Sequence, residues 1–380
     1  MRLNDMDCNF VLISNYEPDE QESMQRYSES LSNDLSAYGI RNLIWTPPVV
    51  FGKLLPQTKR GFGKYLAYID KYLIATVSLL FLRIKNFNQK PIYHICDHSN
   101  APYRFYLPRT RTGITCHDVL AIRGALGYED SHCPATGLGV VLQKWILHHL
   151  RKIPRIAAVS QFTLLQLKEL VQPKTGFRWE VVYNTFNGDF FPMGKEVSLY
   201  RLKNLKLPFE VPFILHVGSQ LARKNRSMLI EMVAESKTFK GNIFFAGQSL
   251  DSQLVESITE AGLNDRVYEI YRPDHKDLVA LYSSCFAFVF PSFSEGFGWP
   301  IIEAQACGAP VITSALDPMQ EIGGNAVVVA NPYKSSEFAS ALDSLQNEAL
   351  RKQHIQAGYQ NIKRFEKSLL VKRFLDLYKS

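Results

Sequence analysis

Two glutamates, Glu295 and Glu303, stand eight positions apart on either side of a glycine-rich turn. The unbroken apolar run at 285–290 predicts a buried strand before them, and Pro300 suits the first turn of a helix that starts after Gly298. Free backbone N–H groups and the positive dipole end make the start of such a helix an anion site. An anion flanked by two carboxylates, each able to accept from sugar hydroxyls, indicates a pocket for a nucleotide-sugar.

A pair of cations follows another predicted strand. Residues 213–218 (FILHVG) predict a strand, and Arg223 and Lys224 lie on the loop beyond it. When a nucleoside diphosphate leaves a sugar it gains negative charge, and fixed cations stabilise that charge without a metal ion. Arginine can bind phosphate oxygens bidentately, whereas lysine acts as a point charge. Adjacent basic residues are common on ordinary loops, so this prediction depends on the glutamate pair downstream.

The elements that must position these side chains alternate between strand and helix. This alternation predicts an α/β fold of parallel sheets with helices on both faces. Ligands of such sheets bind beyond the carboxyl ends of the strands. The predicted strands are 10–14, 42–45, 92–96, 113–116, 156–159 and 180–182 in the first half, and 213–217, 242–245, 267–270, 287–290, 310–313 and 326–329 in the second.

The two motifs together carry a family resemblance. Glu295 and Glu303 in the setting EGFGWPIIEA resemble the Glu-x7-Glu signature of retaining glycosyltransferases of family GT4, which have the GT-B fold. Gly218 with the basic loop at 223–225 is similar to that family's loop for the donor diphosphate. Many members have arginine directly after this glycine, whereas this chain has Ser219. The resemblance is close in the C-terminal half and loose in the N-terminal half.

The resemblance implies two Rossmann-like parallel-sheet domains that face each other across a cleft. A chain of 380 residues is long for one core, which agrees with two domains. We expect an acceptor-binding domain at 1–190 and a nucleotide-sugar-binding domain at 191–365. A C-terminal helix within 366–380 would cross back to the N-terminal domain.

Roles for individual residues also follow from the resemblance. The implied catalytic residues are His117, Arg223, Lys224 and Glu295, with Glu295 holding the donor sugar. The implied donor-binding residues are Gly218, Tyr271, Arg272, Phe297, Gly298, Trp299 and Glu303, the last accepting from ribose hydroxyls. The implied acceptor or cleft residues are Ser23, Met24, Asp118, Ser160 and Asn184. The alternatives are structural: a capping carboxylate at 295, a plain turn at 271–273 and a structural histidine at 117.

The function implied is a retaining transferase that needs no metal ion and no cofactor. It would move a sugar, with UDP-glucose as the first choice of donor, to a glycan or lipid-linked glycan of envelope or exopolysaccharide. A mannosyltransferase that uses GDP-mannose and a non-catalytic binding protein on a transferase scaffold are the alternatives. The acceptor stays undefined, because the loop after the first strand lacks the Gly-Gly pair of many members. The histidines at 94, 98, 132, 148 and 149 lack metal-ligand spacing.

Charge is concentrated in one stretch. The chain carries a net charge of +7, and residues 51–90 contain eight lysines and arginines against one acid, Asp70. Aromatic and aliphatic residues lie among these cations, a composition that suits an anionic bilayer surface. A solvated helix face is the plainer alternative, and no recognition motif supports nucleic-acid binding. Six cysteines without a C-x-x-C pair indicate reduced thiols. We therefore expect a cytoplasmic protein, with peripheral contact at the inner face of the plasma membrane.

Overall fold

The computed structural model describes residues 10–54 and 66–379, which form two compact units. Unit 1 contains the described residues up to Leu126, then Ala135–Asn187 and the chain from Lys367 onward. Unit 2 contains Gly127–Pro134 and Gly188–Glu366. The change of unit after residue 187 lies close to the boundary expected after residue 190.

One short segment departs from the expected division. Residues 127–134 fall inside the predicted N-terminal domain, but they pack as part of unit 2. The ring of His132 stacks on Phe293 with centroids 4.9 Å apart, and its Nε2 lies 3.3 Å from the hydroxyl of Tyr333. Aromatic contacts between residues so distant in sequence leave no local signal, so periodicity could not reveal them.

Unit 1 is built on a six-stranded parallel sheet with the order β2-β1-β3-β4-β5-β6. The strands β1, β3 and β4 are buried along their whole length, as expected where helices cover both faces. The strands are β1 (Phe10–Ile13), β2 (Asn42–Trp45), β3 (Ile92–Ile95), β4 (Thr112–Cys116), β5 (Arg155–Ala158) and β6 (Arg178–Val181).

Unit 2 is built on a second six-stranded parallel sheet, with the order β12-β11-β10-β7-β8-β9. From β7 the chain builds the sheet outward in one direction, and from β10 it builds in the other. The gap between β7 and β10 is therefore the topological switch point, where open sheets bind ligands. The strands are β7 (Phe213–Gly218), β8 (Asn242–Gly247), β9 (Val267–Tyr271), β10 (Ala287–Phe290), β11 (Val311–Ser314) and β12 (Val327–Ala330).

Helices connect the strands in both units, which confirms the predicted α/β class. The helices are α1 (Glu22–Ala37), α2 (Ala75–Lys85), α3 (Leu120–Ala125), α4 (Leu138–Leu150), α5 (Gln161–Leu170), α6 (Lys195–Asn204), α7 (Met228–Glu235), α8 (Ser252–Glu260), α9 (His275–Ser284), α10 (Trp299–Ala306), α11 (Met319–Gly323), α12 (Ser335–Ser344), α13 (Glu348–Asn361) and α14 (Lys367–Asp376). Within the part of the chain that the structure describes, none of them is both long and apolar enough to cross a bilayer.

The helix α2 is the second half of a longer helical segment. Residues 66–69 are α-helical, Asp70–Ile74 form a π-helical turn, and α2 continues without a break. We call residues 66–85 the 66–85 helix. Its buried Asp70 carboxylate accepts from the Tyr16 hydroxyl at 2.6 Å and from three backbone N–H groups at residues 50–52. The one acid of the basic stretch therefore has a structural role, fixing the helix to the preceding loop.

The C-terminal helix α14 packs on the sheet of unit 1. Phe374 and Tyr378 contact the ring of Phe10 with centroids 5.6 and 5.3 Å away. The Tyr378 hydroxyl lies 2.5 Å from His94 Nδ1, and a Cβ atom at Gly113 would be 2.1 Å from that hydroxyl. The absence of a side chain at Gly113 is thus what lets Tyr378 reach the sheet.

Candidate active site

The loops after β7 and β10 meet at the switch point of unit 2. Residues Ala222–Lys224 form a 3₁₀ turn after β7, and the carbonyl of Arg223 accepts from the backbone N–H of Phe293 at 2.8 Å. Asn225 takes a left-handed conformation with φ of 51°, and its amide donates to the carbonyls of Pro291 and Pro332 at 3.2 and 2.9 Å. The turn that carries the two cations is therefore held directly against the loop that carries Glu295.

Arg223, Lys224 and Glu295 form one largely buried group, which we call the cation–glutamate cluster. Lys224 Nζ lies 2.7 Å from Glu295 Oε1, and Arg223 Nη1 lies 2.7 Å from Glu295 Oε2. Arg223 also donates to the carbonyl of Ser294 at 2.8 Å. The Glu295 side chain is only 8% exposed, so these contacts are poorly screened by water. The structure thus brings together the motifs that the sequence places 71 residues apart.

The cluster keeps its glutamate ionised. Burial alone would raise the pKa of Glu295, but the charges of Lys224 and Arg223 outweigh burial and lower this pKa to about 2. Burial lowers the pKa of Lys224, with the charge of Arg223 acting in the same direction and Glu295 opposing both. With two cations and one carboxylate, the cluster carries a net positive charge beyond the carboxyl ends of β7 and β10.

Helix α10 begins beside the cluster. Gly298 precedes it with φ of 98°, a conformation that favours glycine, and Pro300 lies in its first turn. Glu303, buried one turn into α10, accepts from the Tyr282 hydroxyl at 3.1 Å. This contact fixes the carboxylate at the place where ribose recognition is predicted.

The aromatic residues at the start of α10 have a packing role that the sequence does not predict. Phe297 is buried and contacts the rings of Trp299 and Phe365 with centroids 5.8 and 5.7 Å away. The donor contacts predicted for these residues are made by their backbone N–H groups. The packing of the rings is compatible with such contacts, since it fixes the backbone at the beginning of the helix.

His216 lies on β7, the strand before the turn that carries Arg223 and Lys224, and was missed by the sequence analysis. It is 1% exposed, and its Nδ1 donates to the carbonyl of Val289 at 3.1 Å. Among the described residues its Nε2 has no hydrogen-bond partner, and a Cβ atom at Gly218 would lie 2.9 Å from it. Burial, reinforced by the charge of Lys224, lowers the pKa of His216 to about 3. The available signal was a histidine in an apolar strand, two positions before the motif glycine.

The turn at Tyr271 and Arg272 lies apart from the cluster. It follows β9, the edge strand two places from β7. Tyr271 is 61% exposed, with the Arg272 guanidinium 5.6 Å from its ring centroid. The backbone N–H of Arg272 donates to the carbonyl of Gly247 at 2.9 Å, which extends the pairing of β9 with β8 by one residue. A role for this turn toward a nucleobase therefore stays a prediction.

His117 lies at the carboxyl end of β4 in unit 1. Because a carbonyl only accepts, the 2.8 Å contact with Cys96 O means that His117 Nε2 carries a proton and donates. Tyr27 packs edge-on against the imidazole with centroids 4.6 Å apart. Burial lowers the pKa of His117, against the charge of nearby Asp97. Asp118 accepts from the backbone N–H of Leu120 at 3.0 Å at the start of the next turn, and its implied place in the cleft stays a prediction.

A buried polar group around Asp97 was also missed. Asp97 Oδ2 accepts from Asn15 and Ser99, each at 2.6 Å, and Asn100 donates to Asn15 at 2.8 Å. Burial alone would raise the pKa of Asp97, but His98, with Nδ1 3.2 Å from Oδ1, holds it well below its usual range. These residues follow β1 and β3, next to β4. The polar run CDHSN after an apolar strand was the signal.

The remaining cleft predictions differ in outcome. Ser160 begins α5, where its hydroxyl accepts from the N–H of Thr163 at 3.0 Å, and Met24 donates its N–H to Gln21 O at 2.9 Å within the first turn of α1. Ser23 is exposed in that same turn. Asn184 is 2% exposed, and neither polar atom of its amide has a hydrogen-bond partner in the described part of the chain. Asn184 is thus the member of this set with unused hydrogen-bonding capacity.

The cysteines and the possible metal ligands form no further candidate site among the described residues. The cysteines within the described ranges are free thiols, at positions 96, 116, 133, 285 and 307, whereas Cys8 lies outside these ranges. In the described chain, no group of three or more His, Cys, Asp or Glu side chains is arranged to hold a metal ion.

Comparison with known proteins identifies the domain that holds the cluster. Residues 202–361 match the family described as glycosyl transferases group 1. The chain is similar to O-antigen chain mannosyltransferase B of Escherichia coli, with 29% identity over 200 residues that cover 51% of this chain and 52% of that protein. It thus spans about half the length of the curated relatives that it matches.

Solved structures share the fold over nearly the full length. A sucrose-phosphate synthase from Thermosynechococcus elongatus superposes with a TM-score of 0.71 at 18% identity over 98% of both chains. HepE from Anabaena, in complex with UDP and glucose, superposes with a TM-score of 0.69 at 16% identity over 97% of this chain and 98% of that one. At these identities the likeness shows the fold alone: the two-domain α/β architecture of GT-B glycosyltransferases.

Proposed function

We propose that the protein, whose C-terminal unit carries a glycosyl transferase group 1 domain, is a retaining glycosyltransferase of surface-polysaccharide biosynthesis. It moves a sugar from a nucleoside diphosphate to a glycan or lipid-linked glycan. The observation that carries this proposal is the cation–glutamate cluster of Arg223, Lys224 and Glu295 at the switch point of the unit 2 sheet. Two partly buried cations beside the start of α10 suit a diphosphate, and an ionised carboxylate between them suits sugar hydroxyls.

The cluster supports a reaction in which the diphosphate leaves with the bonding electrons. The bond between the sugar C1 and the phosphate oxygen breaks, and a bond from C1 to the acceptor oxygen forms on the same face. The acceptor's proton passes to the departing phosphate oxygen. Arg223 and Lys224 stabilise the negative charge that develops there, and Glu295 holds both cations in place before the donor arrives. Such preorganisation is what makes electrostatic stabilisation effective in a buried site.

A metal ion is not needed in this scheme. The two cations and the N–H groups at the start of α10 supply the positive charge that a divalent ion supplies in other transferases. We therefore propose that the only small molecule the reaction uses besides its acceptor is the nucleotide-sugar, with no bound metal or organic cofactor.

Two donors are candidates. UDP-glucose is the first choice of the sequence analysis, and the similarity in fold to HepE, solved with UDP and glucose, is compatible with it. GDP-mannose is the second, favoured by the similarity to O-antigen chain mannosyltransferase B. The two share the diphosphate that the cluster would hold. They differ in the base and sugar, so the choice depends on groups outside the cluster.

Donor hydrolysis tests the proposal. The purified full chain is incubated with UDP-glucose, GDP-mannose and other nucleotide-sugars, each with and without excess EDTA, and release of the nucleotide is measured. We expect one donor to be hydrolysed at the same rate in both conditions, and Lys224→Ala to abolish most of that release. Activity that vanishes in EDTA and returns with magnesium would overturn the metal-independent scheme. Failure to hydrolyse or transfer from any donor would favour the binding-protein alternative.

We also propose peripheral membrane contact through the 66–85 helix. Six of its apolar side chains, recurring every three or four residues, are 37 to 70% exposed: Ile69, Leu73, Val77, Leu80, Phe81 and Ile84. A contiguous apolar helix face of this kind is typical of protein or membrane interaction sites. Such a face would hold the enzyme near a lipid-linked acceptor.

The charges of this region need a correction. Lys71 belongs to the basic stretch that suits a bilayer surface, but it pairs with Asp19 at 2.5 Å and its side chain is only 17% exposed. It is partly buried there because it belongs to the π-helical turn that packs against the loop after β1. Lys59, Arg60 and Lys64 lie outside the described residues. The proposed contact therefore depends on the apolar face, with Arg83 and Lys85 as the exposed cations at its end.

A further inference from the structure

Next to the apolar face of the 66–85 helix, unit 1 has a groove of about 470 Å³ with an aromatic wall and a basic wall. Tyr72, Tyr103 and Trp145 contribute to the aromatic wall, and His148, His149 and Lys152 form the basic one. The groove lies among the 66–85 helix, the 3₁₀ segment His98–Tyr106 and α4. None of its lining residues belongs to the cation–glutamate cluster or to the group around His117.

The aromatic wall presents rings with free surface. Tyr72 and Trp145 contact each other edge to face with centroids 5.1 Å apart, and Trp145 keeps 39% of its surface exposed. Phe105, at the rim, is 69% exposed. Large aromatic surfaces left open on a rigid framework favour contact with the apolar part of a ligand.

The basic wall has more cations than acceptors. Arg151 Nη2 lies 2.9 Å from His148 Nδ1, and Lys152 Nζ lies 2.7 Å from His148 Nε2. A neutral imidazole can accept at only one of its two nitrogens, so one of these cations gains no acceptor from the contact. In the described chain, neither Arg151 nor Lys152 forms an ion pair with a carboxylate. The wall therefore has a positive charge that no carboxylate among the described residues pairs with.

His149 adds an unused polar atom to the same wall. It is 9% exposed, and within the described ranges its Nδ1 has no hydrogen-bond partner. Burial lowers its pKa to about 4, and the largest charge effect on it comes from Arg104, followed by His148 and Lys152. All the charged groups that act on this histidine are basic. An anion in the groove would offset that positive charge, and a phosphate oxygen or hydroxyl could pair with the imidazole.

The groove continues toward an apolar surface. Tyr72 and Thr76 line it from the 66–85 helix, while Leu73, Val77 and Phe81 of the same helix line a neighbouring apolar groove of about 440 Å³. A ligand with a charged head in the first groove can thus lay an alkyl chain along the second. The charge and the apolar path together fit an amphiphilic anion.

We propose that this groove binds the phosphate or diphosphate of an amphiphilic, lipid-linked acceptor, with the lipid running along the apolar face of the 66–85 helix. The inference rests on the proposed glycosyltransferase function and names the class of its acceptor. Lys152 provides the charge within the groove, and Arg151, which contacts the lining residue His148 from outside, adds to it; both side chains bind phosphate oxygens strongly. Trp145 and Tyr72 contact the first carbons of the lipid.

Binding of small amphiphiles to the full chain tests this inference. Isothermal calorimetry is run with octyl phosphate, octyl glucoside and inorganic phosphate, all below any micelle concentration. We expect octyl phosphate to bind more tightly than either of the others. Lys152→Gln should weaken it by about tenfold or more, the size of one charge-assisted hydrogen bond, and Lys152→Arg should restore it. Lys144→Gln, at an exposed cation of α4 that does not line the groove, should change nothing.

Each other outcome counts against the inference. Equal affinity for octyl glucoside would show that the groove does not recognise the phosphate charge. Equal affinity for inorganic phosphate would show that the alkyl chain does not contribute to binding. If octyl phosphate binds equally to wild type, to Lys152→Gln and to a second variant, Arg151→Gln, its binding site lies outside the groove. The thermal unfolding midpoint of each variant, measured in parallel, reports whether unit 1 is folded. If octyl phosphate binds as expected but no donor is hydrolysed, the groove stands and the transferase proposal fails. If a donor is hydrolysed but octyl phosphate is not bound, the reverse holds.

Discussion

At the scale of single residues, Glu295 is the centre of the cation–glutamate cluster. It holds Arg223 and Lys224 in one place, and it stays ionised because those two charges overcome the effect of burial. A diphosphate that arrives must share the cations with this carboxylate. Glu295 is thus both the group that preorganises the cations and a competitor for them, and the two roles can be separated by mutation.

The first prediction separates binding from turnover. Lys224→Ala should lower kcat/KM for the donor by about 10²-fold or more, because it removes a charge aimed at the departing diphosphate. Glu295→Ala should reduce turnover while leaving the Kd for UDP unchanged or lower, since the cations lose a competitor. Hydrolysis kinetics and UDP titration check both, with Lys240→Ala and Glu256→Ala, exposed and away from the site, as controls. A similar loss of UDP affinity in both variants would contradict this division of roles.

The second prediction concerns acid. The pKa of Glu295 is lowered from 4.5 to about 2, so its ion pairs stabilise the fold fully above the unfolded-state value and are lost as pH falls between the two values. The free energy of unfolding lost in Glu295→Gln should therefore be constant from neutral pH to about pH 5 and should shrink toward about pH 2. Urea unfolding at a series of pH values measures it, with Glu256→Gln as the control. A loss that does not vary with pH would show that the pair adds no pH-linked stability.

At the scale of elements, the 66–85 helix is the surface most clearly built for contact. Its exposed residues Phe81 and Ile84 are 68 and 70% exposed. Burying one large apolar side chain contributes about 1.5–3 kcal/mol. Phe81→Ser combined with Ile84→Ser should therefore lower partition onto anionic liposomes by roughly 10²-fold or more, while donor hydrolysis stays unchanged.

Liposome sedimentation measures this third prediction. The matched control is Val197→Ser with Tyr200→Ser, a pair on α6 of unit 2 that is 55 and 68% exposed and has the same spacing. Salt should weaken the wild-type binding only in part, because the apolar face carries it. Wild-type protein that ignores anionic liposomes at low salt would leave this helix as a solvated face.

The packing of α14 gives the fourth prediction. A Cβ at Gly113 would lie 2.1 Å from the Tyr378 hydroxyl and 2.8 Å from its Cζ, so the ring must move. Gly113→Ala should cost about 1–3 kcal/mol of unfolding free energy, as overpacking usually does. Adding Tyr378→Ala should make the alanine at 113 nearly neutral, which a double-mutant cycle detects. Gly139→Ala is the control, since its Cβ meets only Ala135, at 3.9 Å. Additive costs at 113 and 378 would refute the contact.

The sequence predicts the sheets well and the site in part, for physical reasons. The twelve short runs predicted as strands form the two sheets, because a continuous apolar run is a local signal; the edge strands β2 and β9 stay partly exposed. The cluster follows from two motifs, because parallel strands place their following loops at one edge. The group around Asp97 and the stacking of His132 on Phe293 depend on contacts between distant positions, which no periodicity encodes. Lys71 could not be assigned from sequence, because its exposure depends on the position of Asp19.

At the scale of the whole molecule, the described residues from Lys367 onward return to unit 1. Helix α14 follows directly on unit 2 in sequence, yet its residues Val371, Phe374 and Leu375 are buried in a core with Phe10 and Leu12 of unit 1. This core covers one face of the unit 1 sheet, while the cation–glutamate cluster lies wholly in unit 2. The stability of unit 1 should therefore depend on the last residues of the chain, and nucleotide binding should not.

The last prediction uses this topology. A chain truncated after Glu366 loses α14, so Phe10, Leu12 and His94 lose the partners that cover them. Hydrogen–deuterium exchange should show faster exchange throughout β1 and β3, while UDP should still slow exchange in the loops after β7 and β10. The matched control is the full chain with Lys372→Ala, which changes an exposed position of α14 and leaves its buried face intact. Loss of UDP protection in the truncated chain, with unit 2 otherwise folded, would mean that the donor site needs unit 1. Unchanged exchange in β1 and β3 would mean that α14 adds little to the unit 1 core.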